Sequence, residues 1–524
     1  MNPASPASSA ALPTSAAVAV IGAGAMGAGI AQLAAVAGHP VWLHDRRAGA
    51  AEVAIAGIRT QLAKLVEKKK LSAEQFDAAS AALKPATALE DLREAKLVVE
   101  AIVEDLEAKR GLFAALEALL GPDAILASNT SSLSITAIAA KLKRPERLVG
   151  MHFFNPAPLM ALVEVIAGLA TDAALAATVF ATAERWGKTP VHARSTPGFI
   201  VNRVARPYYA EALRLLQEGV ADVATLDAVM RESGGFRMGP FELMDMIGHD
   251  VNYAVTRSVF DAYYGDPRFQ PSLLQLELVQ AGYLGRKSGR GFYDYREGAT
   301  KAAPASLAPQ PRPARIELTI ADPLAAALAK RLDASGSLLA LTMADASDGR
   351  IATVDGVALF ASDGRSATAR AAALGIGEVV VIDLMLDAAT AKRAAIAVAA
   401  QSPPAALVAI TGLLQAAGFA VSQLADSPGL AVLRTVAMLA NEASDAVHQQ
   451  VCNAAAVDIA MRGGVGYPIG PLEWAARIGA RTVLAVLDNL TRHYGEPRYR
   501  ASPRLRQQVL ASSTSAHSRE TKHE

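Results

Sequence analysis

Short runs dominated by apolar residues recur along the first part of the chain: Val18–Ile21, Val41–Leu43, Leu97–Glu104, Ile125–Ala127, Leu148–His152 and Leu162–Ile166. Each is too short for a core helix and is bounded by glycine or polar residues, as strands buried on both faces are. Between them lie alanine-rich or amphipathic stretches: Ala28–Ala37, a helical pair across 50–85, a helix running through Lys109, and another from Ile135. Strand and helix in alternation predict an α/β domain over residues 17–195, after a flexible extension at 1–16. From Pro197 to about Tyr295 helical periodicity takes over. Tyr208–Gln217 is amphipathic, Gly219 stops it, and Thr225–Met230 begins the next helix, so 196–299 reads as an all-α domain.

The remainder repeats this order. Ser427-Pro428-Gly429-Leu430 matches Thr196-Pro197-Gly198-Phe199 at an offset of 231, and the same offset carries Gly239-Pro240, Glu242 and Gly248 to Gly470-Pro471, Glu473 and Gly479. Residues 426–510 therefore read as a second helical copy, in which Leu433 takes the slot of Asn202. An Ala- and Pro-rich linker is expected at 300–315. Across 316–425, strands such as Glu378–Asp383 and Ala406–Thr411 alternate with alanine-rich helical runs. This predicts a second α/β domain that lacks the glycine motif of the first. Residues 511–524 are polar and read as a disordered tail.

Composition narrows the classes. Lys and Arg number 51 against 50 Asp and Glu, so no global field favours nucleic acid or an anionic membrane. Cys452 is the single cysteine, which excludes an internal disulfide framework and fits a reducing cytoplasm. No apolar run approaches the roughly 18 residues that span a bilayer, and residues 2–16 lack the basic and apolar regions of a signal peptide.

The candidate chemistry begins at Gly22-Ala23-Gly24-Ala25-Met26-Gly27, a G-x-G-x-x-G loop between a strand and a helix. Gly22 permits the turn, Gly24 lets backbone approach a pyrophosphate, and Gly27 packs helix on strand, while the helix start offers free N–H groups. Asp45, at the tip of the second strand, is placed to bind an adenosine ribose and favours NAD over NADP. Glu104 and the cluster Ser128-Asn129-Thr130-Ser131-Ser132 follow strand ends on the cofactor's side. Each also has an ordinary reading, as a helix-start carboxylate or a capped turn. Lys64 and Lys68-Lys69-Lys70 read either as a solvated helix end or as a cationic edge for a phosphorylated handle. His152, in Met151-His152-Phe153-Phe154-Asn155-Pro156, precedes Glu164 by twelve residues. The Pro156–Pro158 turn between their strands would return the chain and pair them, giving a proton acceptor oriented by a carboxylate. With a dinucleotide site, that pair implies alcohol oxidation.

These motifs, with Pro197–Arg203, Met238–Leu243 and Gly285–Tyr293, resemble the NAD-dependent L-3-hydroxyacyl-CoA dehydrogenases in order and spacing from about residue 17 to 296. The resemblance implies a Rossmann-like NAD domain, a helical domain that supplies substrate contacts and a homodimer surface, and a degenerate repeat of both. It implies His152 as general base, Glu164 as its orienting carboxylate, and Ser131 and Asn202 on the substrate oxygens. Glu104, Lys109, Asn155 and Lys287 would line the NAD site, with Lys69 near the coenzyme A of an acyl-CoA substrate. No metal is implied. The two-part layout is most similar to the 3-hydroxyadipyl-CoA dehydrogenases of phenylacetate breakdown, with a long 3-hydroxybutyryl-CoA dehydrogenase as the alternative. Dehydrogenases that use a lysine base lack the His152 motif. A non-catalytic NAD-binding scaffold is opposed by the complete set of Ser131, His152, Glu164 and Asn202, and nothing in the sequence favours a crystallin-like structural role.

Overall fold

The computed structural model describes residues 10–320, 322–336 and 341–520. It divides the chain into two compact units, one built from residues up to Arg203 together with Gln449–Val465, the other from Val204–His448 and Gly466 onward.

The first unit is built on eight strands: β1 (Val18–Ile21), β2 (Val41–His44), β3 (Leu83–Ala86), β4 (Leu97–Glu100), β5 (Ile125–Ser128), β6 (Leu148–Phe153), β7 (Leu162–Ala167) and β8 (Thr189–Arg194). They lie in the order β3-β2-β1-β4-β5-β6-β7-β8, all parallel except the antiparallel pair β6–β7. β1, β4, β5 and β6 are buried on both faces, as runs dominated by apolar residues require. The order reverses between β1 and β4, and ligands of such sheets bind beyond the strand ends at that switch.

Several boundaries differ from the sequence reading. The run Leu97–Glu104 leaves the sheet at Glu100, whose carboxylate turns back to accept the Ile102 amide at 2.7 Å. The helical pair breaks into Ala50–Glu67 and Ala73–Ala82, and the next four residues form β3, an outermost strand that tolerates Pro85. Within the extension taken as flexible, Leu12 is buried, its amide donates to Thr182 Oγ1 and its carbonyl accepts from Arg185. That anchoring corrects the expectation for residues 10–16; residues 1–9 lie outside the described residues.

In the second unit, helix Arg206–Gln217 packs on Val432–His448, its counterpart in the second copy. A mixed sheet holds β9 (Ile316–Thr319), β10 (Leu341–Ala344), β11 (Arg350–Val354), β12 (Val357–Ala361), β13 (Val379–Ile382), β14 (Arg393–Val398) and β15 (Ala420–Gln423), ordered β10-β9-β11-β12-β13-β14-β15. The expected strand Ala406–Thr411 is instead the middle of helix Pro404–Ala416. Pro404 at its first position and the flanking alanines favour a helix, and a short apolar run has no period to say otherwise. The linker is tethered: the amides of Ala305, Leu307 and Gln310 reach Thr225, Val421 and Gln415. Helix Pro503–Glu520 runs through most of the stretch expected to be a disordered tail, and residues 521–524 lie outside the described ones. No helix among the described residues is long and apolar enough to cross a membrane.

Candidate active site

The glycine loop has the geometry its spacing predicts. Gly22 has φ +104°, and a Cβ there would sit 2.4 Å from the Ala101 carbonyl oxygen. A Cβ on Gly27 would lie 1.7 Å from the Gly22 oxygen, so helix Ala25–Val36 can approach β1 only through glycine. Gly24 is different. A Cβ there meets nothing, and no side chain caps the helix start it opens. The protein's own packing gives no reason for glycine at that position, whereas a closely approaching phosphate does. The degenerate half inverts this arrangement. There Asp322 caps helix Pro323–Ala334, its carboxylate accepting the Leu324 and Ala325 amides at 2.8 and 2.9 Å, and would repel a phosphate.

Asp45 lies just beyond β2 and accepts the Ala23 amide at 2.8 Å, linking the ribose-binding candidate to the loop. Burial opposes its ionisation, but hydrogen bonds from the Arg47 guanidinium and from the Ala23 and Arg47 amides hold the carboxyl at about 2. Arg47 is therefore engaged by Asp45, whose Oδ1 lies 3.2 Å from Nε.

Past β4 and β5, one carboxylate organises the polar cluster. Glu104 Oε1 accepts from Thr130 Oγ1 (2.7 Å), the Ser131 amide (2.9 Å) and the Ser132 amide (3.0 Å). Burial works against its charge, but Thr130, Lys109, Ser131 and Ser132 hold it below the usual carboxylate range. Lys109, expected to line the cofactor, is almost wholly buried, 2.5 Å from Glu100 and 3.3 Å from Glu104. Glu100 also accepts from Ser128 Oγ at 2.6 Å. It was missed in the sequence because it ends an apolar run that reads as strand throughout. Asn202 Nδ2 donates to the Ser131 carbonyl at 3.2 Å, which brings the two expected substrate ligands together.

His152 and Glu164 are directly opposed on the antiparallel pair β6–β7. Their side chains therefore share one face of the sheet. His152 Nδ1 is 2.6 Å from Glu164 Oε2, with the histidine 5% exposed and the glutamate wholly buried. Glu164 Oε1 accepts the amides of Ile200 and Val201 at 2.9 and 3.0 Å. A carboxylate facing donors on both oxygens is an acceptor, so Nδ1 is the donor, and in the neutral ring Nε2 carries the lone pair. Phe154 packs on the imidazole, ring centroids 4.5 Å apart.

Three further residues complete the expected set. Asn155 is exposed directly after this strand region, and Lys69 is exposed in a turn with φ 55°. Lys287 belongs to the second unit, where it pairs with Asp250 at 2.6 Å. Two residues that sequence reading did not single out as site residues, Gln449 and Cys452, lie in the same unit as His152 although they come from the C-terminal half.

Residues 17–196 match the 3-hydroxyacyl-CoA dehydrogenase NAD binding domain, and residues 198–295 and 429–521 match the C-terminal domain of that family. Residues 359–428 match the 3-hydroxybutyryl-CoA dehydrogenase reduced Rossmann-fold domain. A relative from Escherichia coli (strain K12), 3-hydroxyadipyl-CoA dehydrogenase, is 47% identical over 496 residues, 95% of this chain and 98% of its own length. A crystal structure of 3-hydroxybutyryl-CoA dehydrogenase from E. coli K12 aligns with 96% of this chain and 100% of its own, at 46% identity and a TM-score of 0.87. A probable 3-hydroxybutyryl-CoA dehydrogenase of Bacillus subtilis is 45% identical over 53% of this chain and 96% of itself.

Proposed function

We propose that this chain, which belongs to the 3-hydroxyacyl-CoA dehydrogenase family, oxidises an L-3-hydroxyacyl-CoA with NAD, using His152 as general base. The observation that carries this is the His152–Glu164 pair, buried, tautomer-fixed and joined through Val201 to the segment that bears Asn202. Nε2 of His152 takes the 3-hydroxyl proton, and Glu164 stabilises the imidazolium that results. Ser131 and Asn202 hold the substrate oxygen and fix the carbon for transfer. NAD, when bound, supplies the hydride acceptor. Gly22–Gly27 receive its pyrophosphate, Asp45 its ribose, and Glu104 anchors the loop beside it. Lys69 and Asn155 complete the binding set as outer contacts to coenzyme A and NAD.

The preferred acyl group is 3-hydroxyadipyl, supported by nearly full-length similarity to the E. coli relative of that name. 3-Hydroxybutyryl is the second reading, because the aligned crystal structure of similar identity carries that description. The expected setting is the cytoplasm. The expected assembly is a homodimer through the helical domain. NADH formation with 3-hydroxybutyryl-, 3-hydroxyhexanoyl- and 3-hydroxyadipyl-CoA, compared by kcat/KM, tests the reading. A preference for adipyl supports it, a preference for the unsubstituted chains moves it to the second reading, and no turnover with any of them removes it.

A further inference from the structure

The two halves exchange helices. Helix Ala454–Val465, from the second helical copy, lies against β7 and β8 of the first sheet, while helix Val223–Glu232, from the first copy, lies against β14 of the second. The same hydrogen bond recurs at each exchange. The Arg194 amide donates to the Val451 carbonyl at 2.8 Å, and the Ala425 amide donates to the Val220 carbonyl at 2.9 Å. Donors and acceptors are each related by the 231-residue offset, so the exchange is a built, reciprocal feature.

In the first unit the exchanged segment reaches the framework of the reaction. Gln449 Oε1 accepts from Nη1 of the fully buried Arg203 at 2.9 Å, one residue beyond Asn202. Gly464 is packed so closely that an added Cβ would lie 2.7 Å from Leu162 Cδ2, 3.0 Å from Val201 Cγ2 and 3.5 Å from Phe154 Cε1. Val201 donates its amide to Glu164, and Phe154 packs on His152. Leu162 is two residues before Glu164 on the same strand. Both members of the pair are thus braced by residues that Gly464 touches. Cys452, at the start of the segment, feels the charges of Glu164 and Arg203.

We propose that Gln449–Val465, supplied by the half that has lost its own chemistry, is a positioning element of the His152–Glu164 site, acting through Gly464 and Gln449. The degenerate half then persists because the working half cannot hold its base and carboxylate in register without it. This rests on the reading of His152 as general base.

The test uses the full chain. In Gly464→Val the added carbons push on Leu162 and Val201 and loosen Glu164 from its amides. kcat should fall roughly tenfold to a hundredfold, the scale of an ångström-level misplacement, while NAD affinity stays unchanged. The acid limb of the kcat/KM profile should move to lower pH, because a loosened Glu164 stabilises the imidazolium less. Adding Leu162→Ala should restore both by returning the space. Gln449→Ala, which adds no bulk, should lower kcat in the same sense and serves if Gly464→Val does not fold. Absence of wild-type turnover would overturn both the functional reading and this inference. An active wild type with folded variants of unaltered kcat would overturn the inference alone. So would a fall in kcat without movement of the acid limb.

Discussion

Asp383 faces Ala395 across β13 and β14 at the register His152 and Glu164 hold across β6 and β7. The Asp383 amide donates to the Ala395 carbonyl at 2.9 Å, and each residue stands 231 positions after its counterpart. Asp383 accepts the amides of Ala431 and Val432, the counterparts of the Ile200 and Val201 amides taken by Glu164. The second half therefore keeps a carboxylate at the helix start but moves it to the position of His152, leaving no histidine there. It thus keeps the contact that Glu164 makes to these amides but no paired histidine.

Replacing His152 with alanine should therefore leave no activity from the second half. We expect kcat to fall roughly 10²–10⁴-fold, the range for losing a general base. NADH formation by the purified variant checks this, and near-wild-type turnover would remove His152 from the mechanism.

Glu164→Gln should be nearly as damaging although it is almost isosteric. A glutamine amide can present N–H to Nδ1, which favours the tautomer with the proton on Nε2 and abolishes the acceptor. A loss of up to about 10⁴-fold in kcat is expected by the logic of carboxylate-to-amide changes beside a catalytic histidine. Steady-state kinetics with intact NAD binding would show it, and a loss below fivefold would contradict the orienting role.

The loop glycines should separate folding from binding. Gly24→Ala meets no protein atom, so melting of the free protein should be unchanged while the Kd for NAD rises. Gly27→Ala must displace the Gly22 carbonyl and should impair both. Calorimetry of free and NAD-bound forms distinguishes them; equal NAD affinity in Gly24→Ala would mean that no phosphate approaches that backbone.

Lys109 is expected to matter first for stability. Lys109→Met leaves Glu100 buried without its cation, a change that costs about 3–5 kcal/mol for buried pairs. Urea unfolding measures this. A stable variant that merely binds NAD weakly would favour the cofactor-lining role instead.

Burial, with the Glu164 charge adding to it and Arg203 opposing it, pushes the Cys452 thiol up to about 12. The native thiol should therefore be alkylated at pH 8 about a thousandfold more slowly than in urea, following its thiolate fraction. Because the folded value lies above the unfolded one, the contribution to stability is intact below about pH 8.5 and is lost as pH rises toward 12. Unfolding midpoints at pH 8 and 10 should thus drop more in the wild type than in Cys452→Ser. Equal drops would place the thiol in an ordinary environment.

The sequence by itself determined the elements that carry short-range signals. Short runs dominated by apolar residues marked β1, β4, β5, β6 and β7, the glycine spacing marked the nucleotide loop, and twelve residues around a proline turn marked the His152–Glu164 pair. Each is local, set by what adjacent residues permit in backbone and burial. The same reading failed at Ala406–Thr411 and at Glu100, where a run of apolar residues carries no period and the outcome depends on neighbours. It passed over β8, whose edge position and Thr189-Pro190 start give no continuous apolar run. Only the tertiary structure decided that Lys109 is consumed by Glu100 and that Asp383 replaces Glu164 in kind but not in place. The same holds for the exchanged helix, which brings Gln449 and Gly464 to a site encoded nearly three hundred residues earlier. Contacts over that separation are fixed by how whole sheets and helices bury their faces against one another, and no local pattern records them.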